Sequence, residues 1–191
     1  MKLTPPIASL AVALAVALAG HGAALAGEKA DVKMPDTMTI AGKPVVLNGM
    51  GVREATVFDV NVYVAGLYLE KKSQDPKEII NSEQVKRIDI KFVRDVDRDD
   101  ITEAWSNGFK KNGGNMAKYK ASIDQLNKWM PEIEEGDRMI FTYVPGRGVV
   151  VWVKGAEKGT LPGAEFGHSF FAIWMGDSPP NKGLKKGMLG K

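Results

Sequence analysis

The chain reads as an α+β domain built on an antiparallel sheet, and three observations predict it. Short strand-like runs stand both before and after a central helical block. Strands and helices do not alternate in the regular βαβ rhythm that a parallel sheet requires. The most apolar strand candidate, Val60–Leu69 (VNVYVAGLYL), is apolar on both faces, so the sheet is covered on both sides there.

Each element has its own local signal. Thr37–Ile40 and Val45–Leu47 flank Ala41-Gly42-Lys43-Pro44, where Gly42 and Pro44 supply turn chemistry and predict an opening hairpin. Gly49 and Gly51 punctuate the next strand. Their GMG triplet is not a dinucleotide fingerprint, because Glu54 stands where the third glycine is needed. In Val60–Leu69 the period of two puts Val60, Val62, Val64 and Tyr68 on one face, and Asn61, Tyr63, Ala65, Leu67 and Leu69 on the other. Tyr68 is thereby assigned to packing, away from Tyr63.

Asp75-Pro76-Lys77-Glu78 combines an N-cap, a first-turn proline and an acidic third position, which predicts a short helix to about Asn81. Ile88, Ile90 and Phe92 alternate with Asp89 and Lys91, a half-buried strand near Arg87–Val93. A helix that Asp97 can cap carries Ile101, Trp105 and Phe109 on one side and ends near Asn112-Gly113-Gly114. In the next helix Met116, Tyr119, Ile123, Leu126 and Met130 fall at helical spacing, and Pro131 limits it. Arg138–Val144 and Val149–Lys154 make a hairpin across Pro145–Gly148, and Glu157-Lys158-Gly159 turns into one more strand. Gly163–Met175 is a helix rich in Phe and Trp, followed by a tail with Pro179-Pro180 and a short helical piece at Leu184–Leu189.

The first residues carry Lys2, an apolar core from Ile7 to Ala19, and Ala24-Leu25-Ala26 as a small-x-small site. That is the pattern of a Sec-type signal peptide over residues 1–26, cleaved after Ala26, and it predicts a periplasmic or secreted protein. The apolar core is shorter than the roughly 20 residues of a spanning helix, so no stable membrane anchor is expected after cleavage. Gly27–Asp36 is polar and without period, which reads as a flexible linker before a domain over residues 37–191. The sequence has no cysteine, which rules out disulfides, thiolate metal sites and cysteine nucleophiles. Charge is nearly balanced at a formal +3, and the lysine pairs are scattered, so no nucleic-acid partner is expected.

Little catalytic chemistry survives inspection. His168 is the one histidine outside the signal, which excludes a two-histidine metal site. Its neighbour Ser169 points about 100° away on a helix, and a core-edge role suits His168 best. The acidic groups at Asp95, Asp97, Asp99 and Asp100, and at Glu132, Glu134 and Glu135, are explained by helix capping and by a loop. Neither has calcium-loop spacing, and no cofactor is expected. What remains is Leu47–Glu70, which sets one cation, Arg53, and a phenol, Tyr63, in a largely apolar run. A guanidinium stays charged and needs an anionic or strongly accepting partner when buried. A ligand carboxylate would serve, and so would Glu54, Asp59 or a carboxylate on another element.

The spelling of this run, GVRE followed by NVYVAGLYLE, resembles the matching stretch of the chalcone isomerase fold family. RIDIKFVRDVDRDDITEAW, GDRMIFTYVPGRGVVVWVKG, KGTLPGAEF and FAIWMGDSPPNKGLKKGMLG are similar to its bacterial branch, so the resemblance runs from about Thr37 onward. It implies an open-faced β-sandwich, a curved antiparallel sheet with a layer of helices on one side. In the plant isomerases the arginine of the GVR stretch assists attack of a phenolate on an enone, and a threonine on the following strand helps to polarise the carbonyl. Here Arg53 matches the arginine, but Tyr63 takes the threonine's place. The isomerases' tyrosine and asparagine near the next helix are matched by Asp97 and Ala104.

Arginine with tyrosine, in a KVYAAG-like context, is instead the pattern of the fatty-acid-binding branch, where the two hold a carboxylate at the end of an apolar tunnel. The resemblance therefore implies a non-catalytic pocket in which Arg53 and Tyr63 bind a fatty acid or another small amphipathic carboxylate. Two other readings stay open. In one, an isomerase or intramolecular lyase uses Arg53 to stabilise an enolate-like oxyanion, and a Tyr63 of depressed pKa moves the proton. In the other, Arg53 and Tyr63 bond to protein groups and the domain serves a structural role in an envelope complex. Val62, Leu67, Phe92, Trp105 and Phe170 are candidates for the pocket lining, with ordinary core as the alternative for each.

Overall fold

A computed structural model describes residues 25–55 and 60–191. The expected signal peptide lies almost wholly outside them, as does Asp59, one of the partners considered for Arg53. Seven strands form one sheet in chain order: β3 (Thr37–Ile40), β4 (Lys43–Ala55), β5 (Val60–Leu69), β6 (Lys86–Phe92), β7 (Arg138–Val144), β8 (Gly148–Val153) and β9 (Ala156–Leu161). Every neighbouring pair is antiparallel. Before them, β1 (Leu25–Lys29) and β2 (Val32–Pro35) pair as a separate hairpin. Helix α1 (Pro76–Asn81) connects β5 to β6, and α2 (Arg98–Lys111) and α3 (Lys120–Trp129) connect β6 to β7. The chain closes with α4 (Ala164–Met175) and α5 (Lys182–Met188). The predicted α+β class with an antiparallel sheet is the architecture observed.

The alternation read in β5 separates two cores. Tyr63, Ala65, Leu67 and Leu69 join Ile88, Ile90 and Phe92 of β6 beneath the helices, together with Trp105, Phe109, Phe170 and Trp174. Val64 and Tyr68 face the other way, into a smaller cluster with Val45, Leu47, Met50 and Met34. Met34 belongs to β2, so Gly27–Asp36 is no linker outside the domain. It contributes a hairpin that covers part of the second face, with Met34 only 2% exposed and the Tyr68 hydroxyl donating to the Pro35 carbonyl at 2.9 Å. One anchoring side chain in a four-residue strand is too little for periodicity to register.

The same cover changes Asp89. Alternation placed it on a solvated face, but it is 1% exposed and ion-paired with Arg138, whose Nε donates to it at 3.2 Å. A buried carboxylate needs such a partner. The turn into β9 is also displaced. Lys154 and Gly155, both at positive φ, make it, and Glu157 lies within the strand.

Three further signals differ in detail: β4 runs unbroken from Lys43 to Ala55 through Gly49 and Gly51, α3 begins only at Lys120, after Met116 and Tyr119, and the Asp97 side chain makes no cap hydrogen bond to α2. The Asp75 carboxylate accepts from the Lys77 amide at 2.8 Å, and α1 ends at Asn81. Past its last turn, Lys86 is fully buried and its ammonium donates to the carbonyls of Ile79, Ile80 and Ser82 at 2.8, 2.7 and 3.0 Å. These are carbonyls at the end of α1, which a short helix leaves without internal donors. Helix α5 lies against β4, where a Cβ on Gly51 would stand 2.8 Å from the Leu184 Cα. Gly49 is equally crowded by the backbone of Gly187 and Gly190. Backbone meets backbone there because neither strand position carries a side chain.

Candidate functional site

Arg53 and Tyr63 are direct register partners across β4 and β5, on the face covered by the helices. A bulge follows at once, between Arg53 and Glu54, and leaves Val62 without a partner in the ladder. Such an irregularity bends the strand and re-aims neighbouring side chains. In consequence both Val62 and Tyr63 border one cleft of about 440 Å³, together with Arg53, Phe92, Trp105 and Ile173. Apolar walls with a few converging polar groups, in a volume of this order, are the usual form of a small-molecule site.

Arg53 is half-buried at the edge of this cleft and is not sealed in the core. Near the end of β4 the covering helices no longer enclose it, so its desolvation cost is smaller than the apolar spelling of the run implied. Its guanidinium donates to the Glu54 carbonyl, and among the described residues no carboxylate pairs with it. The remaining donors of the planar fork can be used by a ligand.

Tyr63 is 9% exposed and packs edge-on to Phe92, with ring centroids 5.6 Å apart. Its hydroxyl oxygen accepts from the Trp174 indole N–H at 3.2 Å. Burial pushes its pKa up to about 12, against smaller opposing effects of the Trp174 hydrogen bond and the Arg53 charge. At neutral pH the group is a neutral phenol whose own hydrogen is left to donate. The depressed tyrosine pKa on which the isomerase reading depends is thus reversed by burial.

Helix α2 forms the long wall, through Asp100, Glu103, Ala104, Asn107, Gly108 and Lys111 on one face. Ser178, Pro179 and Pro180, in the connection between α4 and α5, also border the cleft. Asn112 fixes that connection. Its amide nitrogen donates to the Ser178 carbonyl at 3.1 Å and to the Gly108 carbonyl at 2.9 Å, while its oxygen accepts from the Ser178 amide at 2.9 Å. No local signal marked Asn112 or Trp174 as part of the site, because each acts on a residue 66 or 111 positions away. Of the lining candidates, Val62, Phe92 and Trp105 border the cleft, whereas Leu67 and Phe170 are ordinary core. Ala104 also borders it, and Asp97 serves as the N-cap residue of α2.

His168 lies elsewhere, with Nε2 at 2.9 Å from a Glu83 carboxylate oxygen whose partner oxygen accepts from the Tyr143 hydroxyl at 2.6 Å. This fits the core-edge role expected of it. Among the described residues no three His, Asp or Glu side chains converge as a metal site.

A model of the chalcone isomerase-like family matches residues 26–190, which reaches upstream of the Thr37 boundary and takes in the β1–β2 hairpin. Among solved structures, a fatty-acid binding protein of Arabidopsis thaliana matches with a TM-score of 0.64 at 17% sequence identity, covering 83% of this chain and 92% of that one. At this identity the match speaks for the fold, which is the curved antiparallel sheet with helices that the resemblance implied. No curated protein matches the chain. By its sequence over residues 26–190 and by its fold, the chain belongs to the chalcone isomerase-like family.

Proposed function

We propose that this domain binds a fatty acid or another small amphipathic carboxylate in the α2 cleft, through Arg53 and Tyr63 and without catalysis. The observation that carries the reading is the pairing of a guanidinium with a neutral phenol, side by side in register, at the edge of one cleft that Val62, Phe92, Trp105 and Ile173 line together with the polar side chains of α2. A carboxylate accepts charge-assisted hydrogen bonds from the first and an O–H bond from the second. The Arabidopsis protein of the same fold is a fatty-acid binding protein, which makes fatty acids the first ligands to test. A signal peptide over residues 1–26 would deliver the domain to the periplasm or the exterior.

Native mass spectrometry of the purified protein, with and without added acid, tests this directly. The wild type is expected to carry one acid, and Arg53→Ala to weaken binding about 10- to 100-fold, as loss of a hydrogen bond to a charged group does, with the fold retained. Tyr63→Phe removes a single neutral donor, and about a fivefold loss is expected. If lipid-supplemented wild type carries no acid, the reading fails.

The pH profile follows from Tyr63. With a pKa of about 12 the phenol keeps its proton to well above pH 10, so affinity is expected to stay level from about pH 6 to 10. Below about pH 5 the ligand takes up its own proton and affinity falls. A decline centred near pH 10 in calorimetric titrations would mean an unshifted phenol and a differently built site.

A further inference from the structure

A second depression, of about 410 Å³, shares no bordering residue with the cleft beside Arg53 and Tyr63. Its borders are Gly27, Glu28 and Lys29 of β1, Leu47–Met50 of β4, Lys72 in the connection from β5 to α1, and Gly187, Gly190 and Lys191 at the end of α5. Its charges do not balance. The α2 cleft sets Arg53 and Lys111 against Asp100 and Glu103, whereas this depression sets three lysines, Lys29, Lys72 and Lys191, against Glu28 alone. Glu28 is already committed to Lys33, 3.6 Å away. Among the described residues no carboxylate pairs with Lys29, Lys72 or Lys191.

Asn48 holds the parts of this depression together. Its side chain belongs to a residue only 8% exposed, and its Nδ2 donates to the Ser73 carbonyl at 3.0 Å and to the Met188 carbonyl at 2.9 Å, while its Oδ1 accepts from the Ser73 amide at 2.9 Å. One buried amide thus ties both the connection that carries Lys72 and the end of α5 to β4. Gln74 adds a second tie, donating to the Gly190 carbonyl at 3.3 Å. The last carbonyls of a helix ordinarily repel an anion. Here they are taken: Lys185, Lys186, Gly187 and Met188 accept from the amides of Leu189, Lys191 and Gly190 and from Asn48, in that order. None of these bonds uses the ammonium of Lys29, Lys72 or Lys191. Three point-charge donors exceed what a carboxylate, with one charge and two oxygens, can use, and they suit an anion with more of both. We propose that this lysine-rimmed depression binds a phosphate group, carried by free phosphate or by the headgroup of an anionic lipid. The site is independent of any acid held at Arg53.

Two probes test this on the purified protein at neutral pH and low salt, where screening is weak. Inorganic phosphate is titrated while the amide NMR shifts of Gly190 and Lys191 are followed, and vesicles of phosphatidylcholine, with and without phosphatidylglycerol, are used for co-sedimentation. Wild type is expected to respond to phosphate, to sediment only with the vesicles that contain phosphatidylglycerol, or to do both. A lysine near an anionic surface is worth about fivefold, so Lys72→Gln combined with Lys191→Gln is expected to weaken binding about 25-fold. Both side chains are exposed, so the fold is retained. Lys128→Gln, at an exposed position of α3 outside the depression, is expected to stay within about twofold of wild type. A response to phosphate without vesicle binding assigns the site to the free anion, and vesicle binding that needs phosphatidylglycerol assigns it to the headgroup. No response to either probe, equal sedimentation with both kinds of vesicle, full binding by the double variant, or an equal loss in Lys128→Gln would overturn the proposal.

Discussion

Lys86→Met is expected to lower the unfolding free energy by about 3 kcal/mol, measured by urea denaturation at pH 7. Methionine keeps the length and the apolar stem, so the packing of that stem is little disturbed. It removes three N–H donors at once from the carbonyls of Ile79, Ile80 and Ser82. Two effects oppose each other here. An ammonium buried to this degree is costly, and burial pulls the Lys86 pKa down to about 8, with the Glu83 carboxylate acting the other way. Methionine relieves that cost. Yet the Ile80 and Ser82 carbonyls left unpaired cost about 1–3 kcal/mol each, while Ile79 keeps the Ser82 hydroxyl at 3.1 Å, and the ammonium also lies 4.9 Å from the Tyr143 ring centroid and 5.3 Å from that of Phe171. Three lost bonds outweigh one relieved charge. Lys86→Arg is expected to fail as a rescue, because a fully enclosed site shaped for a compact ammonium has no room for a planar fork. A Lys86→Met protein as stable as wild type would show that water replaces the ammonium at the end of α1.

Gly51→Ala is expected to cost about 3 kcal/mol and to free α5 from the sheet, seen as lost hydrogen-exchange protection over Leu184–Leu189. The new methyl group would collide with the Leu184 carbonyl and lie 2.8 Å from its Cα, and backbone cannot yield as a flexible side chain does. Either β4 or α5 must move. Since α5 has only seven residues and hydrogen bonds within it are few, it is the element that gives way. Gly155→Asn is the control. That glycine sits in the β8–β9 turn at φ 78° with open space around it, and asparagine tolerates this conformation, so a change within about 0.5 kcal/mol is expected. The same displacement of α5 would disturb Arg53, two positions along β4 from Gly51, and should weaken acid binding in parallel.

Asp89 and Gly27–Asp36 show where reading the sequence stopped short, and for one shared reason. Alternation in β6 correctly turned Ile88, Ile90 and Phe92 toward the helices, but it could not say that the opposite face has cover of its own. That cover comes from residues about 50 positions earlier, through Met34 and the Pro35 carbonyl. A polar tract with one apolar residue in strand β2 has no period to detect. The site was legible in a similar measure. Arg53 and Tyr63 stood out as polar residues in an apolar run, and the period of two put Tyr63 opposite Tyr68. Their status as register partners depended on a β4–β5 bulge that leaves no mark in composition.

From the sequence alone came the order of most elements from Thr37 onward, the Asp75 cap of α1, the two faces of β5 from Tyr63 to Leu69 and the choice of Arg53 and Tyr63 as candidates. These are set by dihedral preference and periodicity, which act over a few positions. Tertiary structure alone decided that Trp174 fixes the Tyr63 hydroxyl, that Asn112 ties the Ser178 connection to the end of α2, and that a lysine closes α1. It also decided that rings fill the space beneath the helices and that a cleft opens beside Arg53 and Tyr63. The first two join residues far apart in the chain, and all of them turn on which side chains share a volume once the sheet is covered, which local preference does not encode.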